Sequence, residues 1–201
     1  MRPYAAATAR NAEPILGVLR TEFAECSSVL EIGSGTGQHA VSFAAELAGL
    51  CWQPSELEQN LPGIRAWLAK AELPNVRDPV VLDVLTASPG QGTHDAVFSA
   101  NTAHIMSMDG VEKMFALVAT VLDARGRFCL YGPFRSGGAF NTESNAVFHR
   151  TLHDRDPAMG IRNLEDLDRL AASGGMLRKR LYAMPANNHL AVWEKQDEVN
   201  P

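Results

Sequence analysis

The residues with the plainest chemical purpose follow the apolar pair Val29-Leu30 and run Glu31-Ile32-Gly33-Ser34-Gly35-Thr36-Gly37. Val29, Leu30 and Ile32 suit a buried parallel strand, and the glycines let the chain bend tightly against a ligand. A helix starting near Gln38 would aim its free N–H groups at the same place. The glycines alternate at 33, 35 and 37, unlike the G-x-G-x-x-G spacing that admits a pyrophosphate. An acid two residues ahead of the first glycine suits a cation better than a phosphate. Glu31, Gly33, Ser34, Gly35 and Gly37 are therefore candidates to seat a small cationic cofactor, the alternative being a glycine-rich turn on another α/β fold.

Other polar residues fall where the same sheet edge would collect them. In nucleoside-binding α/β folds an acid about 20 residues past the glycine turn accepts hydrogen bonds from a ribose. Glu56 stands at that distance, and in a competing register Gln53 takes the place as a neutral amide, with Ser55 two residues on. Asp83 closes the apolar run Val80-Val81-Leu82, where a carboxylate is costly unless paired or exposed at an edge; it is either a ligand group or a helix cap. Asn101 and His104 follow a fourth apolar strand and are the candidate catalytic pair. His104 would serve as a general base near neutral pH, or else as a satisfied structural histidine. Arg10 and Asn11 lie before the first helix, either in a lid over the site or as solvated leader residues.

Alternating strands and helices must position these groups. Residues 1–12 read as irregular, and a first helix starts at Glu13, with Pro14 in its first turn and Ile15, Leu16 and Leu19 inside. Strands are predicted at 29–32, 50–56, 80–84, 95–101 and 127–131. Pro54 confines the second to a strand end, since proline cannot donate within a central ladder. The third is bounded by Pro79 and the loop 88–92. Helices follow at 38–47, 64–71 and 111–122. After strand five a loop through Arg135, Gly137, Gly138 and Phe140 leads into a helix from Thr142 or Glu143 to His153. This insertion, approximately 133–163, can cover a pocket, and Phe134, Phe140, Asn141, Asn145 and His149 are candidates to line it. His149 and His153 share a helix face near Asp154 but lack an intervening glutamate or a partner cluster, so no metal is expected. A helix at 163–171 precedes strands 176–183 and 189–194, whose short connection makes them antiparallel.

Composition narrows the function classes. A chain of 201 residues with 46% hydrophobic and 20% charged residues is of single-domain, globular character. No apolar run approaches the roughly 20 residues of a membrane span, and the first residues lack a signal-peptide layout, so a cytoplasmic protein is expected. Cys26, Cys51 and Cys129 are odd in number and far apart, which favours reduced structural thiols. A formal charge of -5 argues against a broad grip on nucleic acid, and the cluster Arg178-Lys179-Arg180 reads as a solvated strand face.

The acid followed by alternating glycines resembles motif I of the class I S-adenosylmethionine-dependent methyltransferases. Blocks across nearly the whole chain are further similar to the methyltransferase-like protein 26 family. They are Arg10-Asn11 with Pro14-Ile15-Leu16, Glu31 to His39, Trp52-Gln53-Pro54-Ser55, Asn101-Thr102-Ala103-His104-Ile105, Tyr131-Gly132-Pro133-Phe134, Ser144 to Phe148, Gly160-Ile161-Arg162 and Met184 to Asn188. The sequence departs from that pattern at His149, where an acid is common. The resemblance implies one domain over 1–201: a Rossmann-like, doubly wound, mostly parallel seven-stranded sheet with a C-terminal antiparallel hairpin. It implies S-adenosylmethionine as methyl donor, S-adenosylhomocysteine as product, and direct transfer to an unidentified small molecule. Glu31 and Gly33 to Gly37 would seat the methionine moiety, Glu56 or Gln53 the ribose and Asp83 the adenine, with Asn11 and Asn101 also at the cofactor and Asn101 and His104 facing the acceptor. Two rivals stand beside it: an NAD(P)-dependent oxidoreductase, disfavoured by the glycine spacing and the hairpin, and a non-catalytic cofactor- or partner-binding protein.

Overall fold

The structure, a computed structural model, describes residues 3–87 and 92–197. Most of the predicted loop 88–92 lies outside the described residues. Nine strands and six α-helices are described: α1 (Ala6–Glu22), β1 (Ser28–Ile32), α2 (Gln38–Glu46), β2 (Cys51–Glu56), α3 (Leu61–Ala71), β3 (Val80–Val81), β4 (His94–Ala100), α4 (Met108–Val121), β5 (Leu122–Gly132), β6 (Phe134–Arg135), α5 (Glu143–Arg155), β7 (Arg162–Asn163), α6 (Leu164–Ser173), β8 (Met176–Met184) and β9 (Asn188–Lys195).

Seven strands form one sheet in the order β3-β2-β1-β4-β5-β9-β8. Pairs from β3 through β5 are parallel, while β9 runs antiparallel to both β5 and β8. This is the doubly wound sheet with a terminal hairpin that the sequence predicts. Alternation along each strand sends side chains to two cores. Val29, Phe98, Cys129 and Tyr131 pack with Ile15, Leu16, Leu19 and Phe43 of α1 and α2. Leu30, Val97, Phe128 and Leu130 pack with Phe115, Val118, Leu167 and Ala171 of α4 and α6. Among the described residues no helix is long and apolar enough to cross a membrane.

The first helix begins earlier than the sequence pattern predicts. Ala6, Ala7 and Ala9 are strong helix formers with no apolar stripe to betray them, so Arg10 and Asn11 lie within α1 and Pro14 falls inside it rather than in its first turn. Pro54 also lies inside a strand, flanked by β1 and β3. Along β2, the N–H of Cys51 points to β1 and that of Trp52 away from it, to Asn75. Pro54 shares the parity of Trp52, and β3 pairs only with Ser55 and Glu56, so the missing donor faces a gap in the ladder. Strand β3 stops at Val81 because Asp83 starts a turn, its carbonyl accepting from the N–H groups of Thr86 and Ala87. The predicted loop after β5 contains β6, which pairs in parallel with β7.

The C-terminal end of α1 is pinned by a buried acid. Glu22, 2% exposed, accepts from Arg180 Nη1 at 2.8 Å and from the Tyr182 hydroxyl at 2.5 Å, while Arg127 Nη1 donates to its carbonyl oxygen at 2.6 Å. Arg178, Lys179 and Arg180 each pair with an acid, namely Asp168, Glu194 and Glu22. Replacing Glu22 with alanine leaves Arg180 and Tyr182 without their acceptor and should cost roughly 2–4 kcal/mol. Thermal denaturation should then show a midpoint lower by at least about 4 °C; an unchanged midpoint would remove this network from the account of stability.

Candidate functional site

The ends of β1, β2 and β4, with the turn that follows β3, surround a cavity of about 530 Å³. It lies where the strand order reverses between β1 and β4, the crevice in which open α/β sheets take ligands. Its volume falls within the roughly 300–1,000 Å³ of small-molecule sites. Gly33, Ser34, Gly35, Glu56, Asp83 and Asn101 of the sequence-predicted set line it. Ile32, Thr36, His39, Leu57, Leu82, Val84, Leu85, Thr102, Ile105 and Met106 also contribute, with Ala5 and Thr8 from α1 and the segment before it. Among the described lining residues there are two carboxylates and no lysine or arginine.

The glycine turn is held almost wholly by protein acceptors. The N–H groups of Gly33 and Ser34 donate to the Ser55 carbonyl at 3.1 and 2.9 Å, and that of Gly37 to the Ser34 carbonyl at 2.9 Å. Gly35 N–H donates to Glu56 Oε2 at 2.8 Å, and Leu57 N–H to Glu56 Oε1 at 2.8 Å. Four of the turn's donors are thus spoken for before any ligand arrives, which is the opposite of a phosphate cradle. Gly33 has φ +73°, and a Cβ there would stand 2.6 Å from Thr102 Cγ2. Gly37 has φ +85° and would put a Cβ 3.0 Å from the Ile64 backbone, so its demand is close packing against α3. A Cβ on Gly35 meets no described atom within 4 Å, although Gly35 lines the cavity.

Glu31 is not on the cavity wall. It is 2% exposed beneath the turn, where Oε2 accepts from Ser34 Oγ at 2.8 Å and Trp52 Nε1 at 3.0 Å. Burial pushes its carboxyl up to about 7, against the pull of those two donors. Strand parity is the reason: Glu31 sits one residue from Leu30 and Ile32, which face the opposite core. Gln53 is also outside the lining, its amide committed to the carbonyls of Asp78 at 2.9 Å and Pro54 at 3.0 Å. Glu56 is the one of the two that reaches the cavity. Asp83 lines the cavity, and its Oδ1 accepts from Leu85 N–H at 2.9 Å in a turn rather than at a helix start.

Asn11 stands one layer back, accepting at Oδ1 from His39 Nε2 at 2.8 Å. His39 lines the cavity, stacks on Phe43 at 4.9 Å, and is pushed by burial down to about 4. The segment leading into α1 closes on the turn through Ala5 N–H, which donates to Gln38 Oε1 at 2.6 Å, and Trp67 Nε1, which donates to the Pro3 carbonyl at 2.8 Å. Asn101 lines the cavity at φ +61°, a left-handed conformation that asparagine tolerates better than most residues. His104 lies outside the lining, 7% exposed, with its ring 5.4 Å from that of Phe148. Burial, then the Arg162 charge, push it down to about 4. Near neutral pH it is uncharged, and its lowered basicity makes it a weaker proton acceptor than an ordinary imidazole.

None of Phe134, Phe140, Asn141, Asn145 or His149 lines the main cavity. Phe134, Phe140 and Asn141 border a separate cavity of about 200 Å³. Asn145 donates to Asn141 Oδ1 at 2.7 Å and to the Asn187 carbonyl at 3.1 Å. His149 Nδ1 accepts from Ile161 N–H at 3.0 Å, its ring against Gly160. A residue to which the pattern gave no role is Arg162, whose guanidinium donates to the carbonyls of Ala103, Met106 and Ala158 and so braces the turn that carries Thr102, Ile105 and Met106. Its position in a conspicuous block signalled importance but not role. The apolar wall of Leu85 and Ile105 was also missed; both are large and 48% exposed, and the available signal was an apolar side chain standing in the turn just past a strand.

Several solved methyltransferase structures share this fold. An O-methyltransferase family protein from Burkholderia thailandensis superposes with a TM-score of 0.82 at 14% identity, over 96% of this chain and 58% of that one. Human N-acetylserotonin methyltransferase in complex with SAM gives 0.78 at 11% identity, over 95% and 53%. PigF with SAH gives 0.79 at 19%, over 93% and 56%. The chain spans little more than half the length of these proteins, and what it shares with them is the class I methyltransferase fold. By sequence the chain belongs to the family described as proteins of unknown function, DUF938, whose profile matches residues 2–195.

Two predictions follow from the turn and the acid beneath it. Gly33→Ala should cost roughly 1–3 kcal/mol in urea unfolding, and adding Thr102→Ser, which removes Cγ2 but keeps the hydroxyl bonded to Ser99 at 2.7 Å, should return the steric part. No recovery in the double variant would disprove the contact. Glu31 has its carboxyl raised from 4.5 to about 7, so folding favours the protonated form. The resulting penalty grows as pH rises through that window, at up to about 1.4 kcal/mol per pH unit, and is complete above it. Glu31→Gln should therefore gain stability relative to wild type between pH 5 and 8; parallel pH profiles would refute the buried titration.

Proposed function

We propose that the protein is an S-adenosylmethionine-dependent methyltransferase that passes a methyl group directly to a small-molecule acceptor. In this reading residues 1–201 form one cytoplasmic methyltransferase domain, with 133–163 as an insertion beside the site rather than a cap over it. The observation that carries it is the cavity's charge: Glu56 and Asp83 with no described lysine or arginine, on a turn whose N–H groups are already taken. Such a wall suits a cationic ligand rich in hydrogen-bond donors and repels a pyrophosphate. The blocks shared with the methyltransferase-like protein 26 family support the same reading.

S-adenosylmethionine supplies a methyl group already activated on a positively charged sulfur. The protein's residues hold and orient. The main chain at Gly33, Ser34 and Gly35 seats the amino-acid end, and Glu31 acts through Ser34 by fixing the turn. Glu56, rather than Gln53, takes the ribose: each carboxylate oxygen still has a lone pair after its backbone bond. Asp83 keeps an oxygen for the adenine amino group, with Leu85, Ile105 and Met106 beside the flat ring. Asn101 faces the acceptor. His104, uncharged and braced beside Arg162, positions that turn. Holding donor and acceptor in line contributes several kcal/mol without a covalent intermediate.

A second reading, a protein that binds the cofactor without turnover, draws on the low basicity of His39 and His104. Calorimetry should show one S-adenosylhomocysteine bound per chain and no NADH. Asp83→Asn, which retains the cap on Leu85 but loses the charge, should weaken S-adenosylhomocysteine at least about tenfold, near 1.4 kcal/mol. Binding of NADH in its place would end the methyltransferase reading. Incubation with methyl-labelled donor and a cell extract should yield a labelled small molecule, whereas binding without label transfer would favour the second reading.

A further inference from the structure

The second cavity, about 200 Å³, opens beyond the carboxyl end of β5, between the residues after Gly132, the start of α6 and the terminal hairpin. Leu164, Leu181, Phe134 and Phe140 give it apolar walls. Two of its lining residues carry buried nitrogens without a hydrogen-bond partner: Arg135 Nε and His189 Nδ1. An unmet buried donor costs about 1–3 kcal/mol, and more when the group is charged, so two in one small cavity point to a missing partner. Arg135 makes no ion pair among the described residues, and its guanidinium lies 5.4 Å from the centroid of the Phe140 ring.

The surroundings leave that charge uncompensated. Arg162, on the strand paired with Arg135, spends its donors on main-chain carbonyls, and the Arg135 charge adds to the burial that depresses it. Glu165, the acid at this end of the fold, already accepts from Ser136 Oγ at 2.7 Å and Gly137 N–H at 3.0 Å through one oxygen. His189 is held neutral by burial, and in one tautomer its Nδ1 donates. The cavity thus offers a guanidinium donor, an imidazole nitrogen that donates in one tautomer, and an apolar lining.

We propose that this cavity binds a small carboxylic acid with an aromatic or branched apolar body, Arg135 and His189 donating to the carboxylate while Phe134, Leu164 and Leu181 enclose the rest. At about 30 Å³ per water the space equals roughly seven waters, the scale of a benzoate. A bare inorganic anion would meet the nitrogens but leave the apolar walls wet. The inference is independent of methyl transfer, and its test uses no methyl donor.

Calorimetry on the full chain with sodium benzoate should give saturable binding at one site. Benzamide, of the same shape without charge, and inorganic phosphate, charged without the apolar body, should each bind at least about tenfold more weakly. Arg135→Gln should weaken benzoate by a similar factor while leaving the thermal midpoint and S-adenosylhomocysteine affinity unchanged. Ala139→Leu, which adds bulk at an exposed lining position, should weaken benzoate binding and leave the cofactor cavity untouched. Equal benzoate affinity in wild type and Arg135→Gln overturns the proposal. So does benzamide or phosphate binding as tightly as benzoate, or an absence of saturable benzoate binding.

Discussion

The site depends on how the glycine turn is suspended between β1 and β2. Ser55 stands at the centre of this arrangement: its carbonyl takes two N–H groups of the turn, its hydroxyl donates to the Glu31 carbonyl at 2.6 Å, and its own N–H donates to Ser34 Oγ at 3.2 Å. Ser34 Oγ in turn donates to the buried Glu31 carboxylate. Glu31, Ser34 and Ser55 are buried, so the bonds among them are costly to leave unmade. The turn is therefore pre-formed, and a ligand need not order it. The main-chain donors that other glycine-rich turns keep for phosphate are here turned inward, and the ligand meets carboxylates instead.

The sheet converts that local arrangement into a cavity. Chain reversal at β1 sends α2 and α4 to opposite faces, leaving a crevice at the shared edge of β1 and β4. Ser99 holds the crevice at a fixed width, donating to the Ile32 carbonyl at 2.7 Å and bonding Thr102 at 2.7 Å. Thr102 is in turn the residue that leaves no room for a side chain at Gly33. A strand end, a glycine and the turn carrying Asn101 are thus mutually dependent. Arg162 extends this dependence to the insertion, because the same turn's carbonyls are its acceptors.

The insertion behaves differently from a simple cover. Strands β6 and β7 pair side by side, so the chain between Ser136 and Ile161 leaves and returns at one place and packs on itself. Asn141, Asn145 and the Asn187 carbonyl form a network with the terminal hairpin rather than with the main cavity. Phe134, Phe140 and Asn141 of this segment line a second, smaller concavity, beside rather than over the main crevice.

Much of this was legible in the chain itself. Apolar runs of four to six residues alternating with helical stripes specify a parallel sheet, and the short link between Ala183 and His189 specifies a terminal hairpin, because these patterns report local geometry. The glycine turn, Glu56, Asp83 and Asn101 could be placed on one edge because each stands at or just past the end of a strand that must reach it. Parity and partners were not legible. Glu31 turns away from the cavity, Gln53 binds backbone, and His104 lies behind the wall, outcomes set by residues 20 to 60 positions away such as Trp52, Asp78 and Arg162. Local sequence dictates where the chain bends and which element comes next. Which side chains meet across those bends, and with what charge, is decided by strand order and burial, since hydrogen-bond partners and desolvation exist only once distant segments are packed together.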